Sequence, residues 1–174
     1  MEAVLAKARQ VRLAIFDVDG VLTDGSLYLS DSGEEIKAFN SLDGHGMKML
    51  KASGVQLAII TGRTSRCVEL RAKNLGVDLL YQGVEDKLAA YRELLARLKL
   101  EPAHTAYMGD DVVDLPVLTR CGLALAVPEA PQPVQQRAHY VTRLGGGRGA
   151  VREACELILD AQGRLAAQMA AYLA

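Results

Sequence analysis

Three times this chain runs through a short apolar stretch and breaks at once into a loop of acids, glycine or threonine. Leu13-Ala14-Ile15-Phe16 opens into Asp17-Val18-Asp19-Gly20, Val55 to Ile60 into Thr61-Gly62-Arg63, and Thr105-Ala106-Tyr107-Met108 into Gly109-Asp110-Asp111. Such a run closed by turn residues reads as a buried strand ending at a loop. Helical periodicity follows over Gly46 to Ser53, Ser65 to Leu75, Asp86 to Leu100 and Val112 to Cys121. Strands separated by helices of that length point to a parallel sheet, whose neighbouring strands need long crossover connections.

Shorter strands are expected at Leu79 to Tyr81, Leu123 to Val127 and Tyr140 to Thr142. The predicted fold is α/β: a Rossmann-like open parallel sheet of five or six strands flanked by helices. One segment breaks the alternation. Ser26 to Leu29 and Glu35 to Phe39 flank Asp31-Ser32-Gly33-Glu34, a hairpin signal, so a small antiparallel flap is expected over about 26–40. After Gly145 to Gly149, read as a flexible hinge, a helix is expected from Ala150 to Ala161, then an alanine-rich tail over about 164–174. With 174 residues, half of them hydrophobic, the chain 1–174 reads as one domain.

Composition narrows the partners. Twenty Lys and Arg against 21 Asp and Glu leave a net charge of −1, which provides no broad field for nucleic acid or an anionic membrane. No apolar run approaches the roughly 18 to 20 residues that span a bilayer. The charged start, Met1 to Arg12, lacks the apolar core of a secretory signal, so a cytoplasmic protein is expected. Cys67, Cys121 and Cys155 form no CxxC pattern and read as reduced, structural thiols, and His45, His104 and His139 do not cluster.

In open parallel sheets, ligands bind beyond the carboxyl ends of the strands. There this sequence gathers Asp17, Asp19, Asp110, Asp111 and Asp114, provided that the first and fourth parallel strands are neighbours. Like charges so close need a cation, and all-oxygen donors select Mg²⁺, which bridges readily to phosphate. Asp17 and Asp19, two apart on a strand end, suit a nucleophile and a general acid/base. Thr61 and Lys87 add a hydroxyl and an ammonium for phosphoryl oxygens. Each alone has a plainer reading, as a solvated acid, a helix cap or a surface lysine; their shared placement after apolar runs argues for one site.

DVDGVLTDG at 17–25, TGR at 61–63, Lys87 and GDDVVD at 109–114 resemble the four motifs of the haloacid dehalogenase superfamily of aspartate-nucleophile phosphatases. The resemblance implies Asp17 as nucleophile, Asp19 as acid/base, and Thr61 and Lys87 as phosphate ligands. It also implies Mg²⁺ held by Asp17, Asp19 through its carbonyl, and Asp110, with Asp111 supporting more closely than Asp114.

From about Leu13 to Gly163, further matches (FNSLDGHG, YQG, YMGDD, DLPVL, GGGRGAVRE) are similar to a capless branch acting on a sugar-acid phosphate, an octulosonate, on the route to lipopolysaccharide. In that branch a hairpin replaces the cap and homotetramers cover each site, which places Arg148 or the residues after it near a neighbour's substrate. Thr61, Gly62, Arg63, Arg71 and Lys87 are the substrate-binding candidates, with the two arginines set to pair with a carboxylate. Arg66 reads as solvated, and His45, in the DGHG turn, as a loop histidine. Related phosphatases of nine-carbon sialic-type sugar acids tend to be acidic where Arg63 stands. A phospho-accepting receiver domain, the rival from another class, keeps its acids on separate strands and has no use for Asp19. A catalytically silent oligomerisation module is opposed by the full set of catalytic residue types.

Overall fold

The computed structural model describes residues 1–173, and Ala174, the end of the expected tail, lies outside them. In chain order the elements are α1 (Glu2–Arg9), β1 (Leu13–Phe16), β2 (Tyr28–Leu29), β3 (Glu35–Ile36), α2 (Ser41–Ala52), β4 (Gln56–Ile60), α3 (Arg66–Leu75), β5 (Leu79–Tyr81), α4 (Lys87–Leu98), β6 (Thr105–Gly109), α5 (Leu115–Leu118), β7 (Leu123–Ala126), α6 (Gln132–Gln135), β8 (Tyr140–Val141), α7 (Ala150–Ala161) and α8 (Leu165–Ala170).

Six strands form one sheet in the order β5-β4-β1-β6-β7-β8, every pairing parallel. Leu13 stands opposite Gln56 and Thr105, and Phe16 opposite Ile59 and Met108. This register brings the three motif-bearing strands to one level, so the loops at 17, 61 and 110 leave the same edge. β1 and β7 are buried throughout, as expected of strands covered by helices on both faces.

Several helices depart from expectation, the short α6 among them, which the sequence reading did not foresee. α1 has no counterpart in the sequence reading, and it lays Ala8 into the core. α2 begins at Ser41 rather than Gly46, with the Asn40 side chain accepting from the Leu42 and Asp43 amides. Gly44 and Gly46 mimic a turn in the sequence, yet they serve packing: a Cβ at Gly44 would lie 2.1 Å from Arg71 Nη2, and one at Gly46 2.8 Å from Arg152 Cδ. His45 therefore sits on a helix and not in a turn. The segment expected as one helix from Val112 splits into a 3₁₀ turn, Val112–Asp114, and α5.

The Gly145–Gly149 stretch is also not a free hinge. It docks on the loop after β1: the Gly147 amide donates to Val21 O at 2.9 Å, and a Cβ at Gly146 would lie 1.9 Å from Gly20 O. Asp43, almost wholly buried in α2, accepts from the Gly149 and Arg152 amides at 3.2 and 2.8 Å and so caps α7 from outside its own helix. A cap of this kind is worth about 1 kcal/mol.

β2 and β3 form the expected two-stranded hairpin, turned at Gly33 with φ +82°. Leu27, Tyr28, Leu29 and Ile36 on it are exposed. Cys67, Cys121 and Cys155 are free, and burial pushes the Cys121 thiol up to about 12 and Cys155 further in the same direction, in keeping with inert structural thiols. Among the described residues no helix is long and apolar enough to cross a membrane.

Candidate active site

β1 delivers Asp17 with its amide held by Met108 O at 3.0 Å, so the neighbouring strand sets where the carboxylate begins. One oxygen, Oδ1, accepts from the Val18 amide at 2.7 Å and the other, Oδ2, from Lys87 Nζ at 2.6 Å. Lys87 opens α4, directly after the Asp86 side chain that caps the helix through Ala89 N. Its ammonium also donates to Asp114 Oδ1 at 2.7 Å, and only 4% of the side chain reaches solvent. The bland reading of Lys87 as a surface lysine therefore does not hold.

Asp114 is fully buried and saturated. Besides Lys87 it accepts from Tyr107 Oη at 2.6 Å and from the Asp110 and Asp111 amides at 3.0 and 3.1 Å. Its carboxylate fits over Gly109, where a Cβ would lie 2.4 Å from Asp114 Cγ. This arrangement folds the loop after β6 and aims Asp110 back at Asp17.

Oxygens of Asp17, Asp110 and Asp114 lie within 4.8 Å of one another. Three carboxylates thus face one ammonium. Burial, with Asp114 close by, pushes Asp17 up to about 6 despite Lys87, and burial with Asp17 and Asp114 pushes Asp110 up to about 7. Among the described residues no donor hydrogen-bonds to the Asp110 carboxylate. That deficit of positive charge, with oxygen donors alone, fits a hard divalent cation. Since Asp114 is already occupied, Asp17 and Asp110 are the carboxylates left to hold one. Gly20, at φ +84°, permits this closeness, as a Cβ there would meet Asp110 Oδ2 at 2.1 Å.

A cavity of about 240 Å³ opens over these groups, lined by Asp17, Asp19, Thr61, Gly62, Arg63, Lys87, Asp110 and Asp111 among others. Thr61 is buried at the end of β4, and the cap of α3 is Ser65, not Thr61. Asp111 points elsewhere: it is exposed and accepts from the Val112 amide, so Asp114 rather than Asp111 joins the acidic cluster. Arg63 lines the cavity, paired with Glu35 at 2.8 Å and 3.7 Å from Asp19.

Arg71 does not join this cavity. It donates to Asn40 O at 2.9 Å and stands over the Phe39 ring, beside the separate hollow that His45 lines. Arg66 pairs on the surface with Glu69, and Arg148 reaches Asp24 at 3.5 Å. Lys37 and Tyr107 escaped the sequence reading, Tyr107 lying inside an apolar run and Lys37 in the hairpin, and Asp114, ranked there behind Asp111, is the closer of the two.

A larger cleft, about 590 Å³, opens at the opposite edge of the sheet among Arg9, Arg12, His104 and Arg164. Arg164 donates there to Ser53 O at 2.5 Å, and the cleft collects the C-terminal ends of α1, α2 and α7, whose carbonyls favour cationic neighbours.

The family model for haloacid dehalogenase-like hydrolases matches residues 33–122, which include Thr61, Lys87 and Asp110. The 3-deoxy-D-manno-octulosonate 8-phosphate phosphatase of Yersinia pestis is 52% identical over 162 residues, covering 93% of this chain and 87% of that protein. A probable YrbI family phosphatase from Pseudomonas syringae pv. phaseolica superposes with a TM-score of 0.99 at 53% identity, over 100% of this chain and 99% of that one. The Moraxella catarrhalis 3-deoxy-D-manno-octulosonate 8-phosphate phosphatase, solved with magnesium, phosphate and KDO, superposes with a TM-score of 0.97 at 44% identity, over 99% of each chain. With the motifs, the sheet and the acidic site in agreement, this chain belongs to the haloacid dehalogenase-like hydrolases.

Proposed function

We propose that this protein hydrolyses 3-deoxy-D-manno-octulosonate 8-phosphate to the free sugar acid and phosphate, with Mg²⁺ and through a phospho-aspartate on Asp17. The observation that carries the chemistry is the buried Asp17–Lys87–Asp114 cluster with the uncompensated Asp110 beside it. The substrate rests on the identity to octulosonate phosphatases over 93% of the chain.

Asp17 and Asp110, with the Asp19 carbonyl, would hold Mg²⁺, which supplies charge neutralisation for the phosphoryl oxygens. An Asp17 oxygen attacks phosphorus, the ester P–O bond breaks, and the departing alkoxide takes the proton of Asp19. Asp19, now a carboxylate, removes a proton from water, which attacks phosphorus and frees Asp17 and phosphate. Lys87 and Thr61 hold the phosphoryl oxygens. Asp114 keeps Lys87 and the loop at 110–111 in place, and Asp111 lines the rim.

The test is a panel of sugar phosphates with Mg²⁺ present. The octulosonate phosphate is expected to give the highest kcat/KM, and Arg63→Glu to lower that value at least about tenfold more than the value for a nine-carbon sialic-type phosphate, since phosphatases of that type tend to carry an acid at this position and so do without the guanidinium that would fork onto the octulosonate carboxylate. Higher kcat/KM on the nine-carbon substrate in the wild type would transfer the assignment to it. A phospho-Asp17 persisting for minutes would instead favour a receiver.

Metal and proton compete for the same carboxylates. Asp17 and Asp110 titrate above their ordinary 3.8 in the folded chain, at about 6 and 7, so the metal-free fold binds more protons than the unfolded chain between about pH 4 and 7. Their contribution to metal-free stability is present at low pH and is lost as pH rises through that window. Mg²⁺ is therefore expected to raise Tm more at pH 8 than at pH 5, read against EDTA by thermal melts; an equal rise at both would contradict this site.

A homotetramer is proposed on the exposed apolar hairpin, since a two-stranded sheet with Leu27, Tyr28, Leu29 and Ile36 outward lacks a covering layer. Sedimentation at the mass of one chain would refute it. A cytoplasmic site of action is proposed on the three free thiols.

A further inference from the structure

Lys37 lies in none of the four motifs, yet its side chain is only 1% exposed, in a hairpin whose neighbouring side chains face solvent. An ammonium so buried is costly unless its partners are charged and close. Both are. Lys37 Nζ donates to Asp19 Oδ1 and stands 3.2 Å from Glu35 Oε1. The same Glu35 oxygen accepts from Arg63 Nη2 at 2.8 Å, and Arg63 Nε faces Asp19 Oδ2 at 3.7 Å. Two carboxylates and two cations thus close a ring: Asp19, Lys37, Glu35, Arg63.

The ring differs in kind from the cluster around Asp17. There three carboxylates share one ammonium and a cation is wanting; here the charges balance, so the ring asks for no ion. Each oxygen of Asp19 has its own cation, Oδ1 from the hairpin and Oδ2 from the loop after β4. Lys37 does not line the catalytic cavity, and its burial keeps it from substrate.

On the reading of Asp19 as acid/base, we propose that Lys37 is a positioning residue that holds Asp19 through Oδ1, so that once the carboxyl has taken up a proton from solvent its Oδ2 hands that proton to the leaving alkoxide, with Glu35 tying Lys37 and Arg63 into one support. The hairpin thereby contributes to the chemistry as well as to the surface.

Leaving-group dependence tests this. A sugar alkoxide needs a proton as it departs, whereas 4-nitrophenolate does not, and kcat/KM reads the steps up to transfer onto Asp17, before water is activated. Lys37→Met is expected to lower kcat/KM on the sugar phosphate by about 10²-fold, the scale of general acid catalysis, and on 4-nitrophenyl phosphate by no more than a few-fold. Equal losses on both substrates overturn the proposal.

Asp19→Asn serves as the reference. If it too loses equally on both, the acid/base reading itself has failed. If it is selective and Lys37→Met is not, only the role of Lys37 has failed. Should Lys37→Met not fold, Lys37→Arg keeps the charge but not the geometry: a shift of the ratio toward the aryl substrate by about tenfold supports positioning, and a wild-type ratio overturns it.

Discussion

Replacing Asp17 by Asn is expected to lower kcat on the octulosonate phosphate by about 10⁴-fold or more, since the nucleophile carries a step that no neighbour can take over. That fall corresponds to roughly 5.5 kcal/mol of transition-state stabilisation. The substitution is nearly isosteric, and the introduced carboxamide keeps an oxygen for the Val18 amide that now donates at 2.7 Å. The fold should therefore survive, which circular dichroism and a thermal melt will show. Phosphate release under single-turnover conditions reads the chemistry, and turnover at the wild-type rate in a folded variant would reject Asp17 as the attacking group.

Lys87→Met is expected to damage activity and stability together. The ammonium lies 2.6 Å from Asp17 and 2.7 Å from Asp114, and without it three clustered carboxylates have no cation hydrogen-bonded to them. Removing one partner of a buried ion pair costs about 3 to 5 kcal/mol, so the urea midpoint of the metal-free variant at pH 8 should fall steeply. Protonation of the carboxylates should return part of that loss at pH 5. With Mg²⁺ restoring the fold, kcat should still be down by about 10²- to 10³-fold, because a charge aimed at the phosphoryl oxygens is gone. A variant that is folded and fully active would show Lys87 to be structural only.

The strands and their loops were legible because a buried parallel strand is written in consecutive residues: Leu13 to Phe16 followed by Asp17 needs no distant information. The helix α7 was likewise plain from its periodicity, and its bounds agree with those expected. What failed was whatever depended on a partner far along the chain. Gly44 and Gly46 look like turn residues until Arg71 and Arg152 are seen to need their space. Asp43 reads as part of a loop, yet it caps a helix that begins at Ala150.

The site divides along the same line. Asp17, Asp19, Thr61, Lys87 and Asp110 stand beside one cavity because each is tied to a strand end or a helix start, features that local sequence encodes. Asp111 and Asp114 could not be ranked from GDDVVD, since both are acids in one turn. The loop geometry decides between them, turning Asp114 inward under Tyr107 and Lys87 and Asp111 outward onto Val112. Arg71 was chosen for its charge, and in the fold its guanidinium is taken up by Asn40 O and Phe39. Lys37 carries no signal of its own, because only the hairpin's return brings it to Asp19.

The glycine loop after β8 presses so closely on the turn after β1 that Gly146 has no room for a methyl group beneath Gly20 O. Variation at these two positions cannot be independent. A side chain at 146 would displace the Gly20 carbonyl, while one at 20 would strike the Asp110 carboxylate, so both disturb the same turn and their separate losses should not simply add. Any survey of tolerated substitutions should therefore group residue 146 with the catalytic turn, despite its distance along the chain.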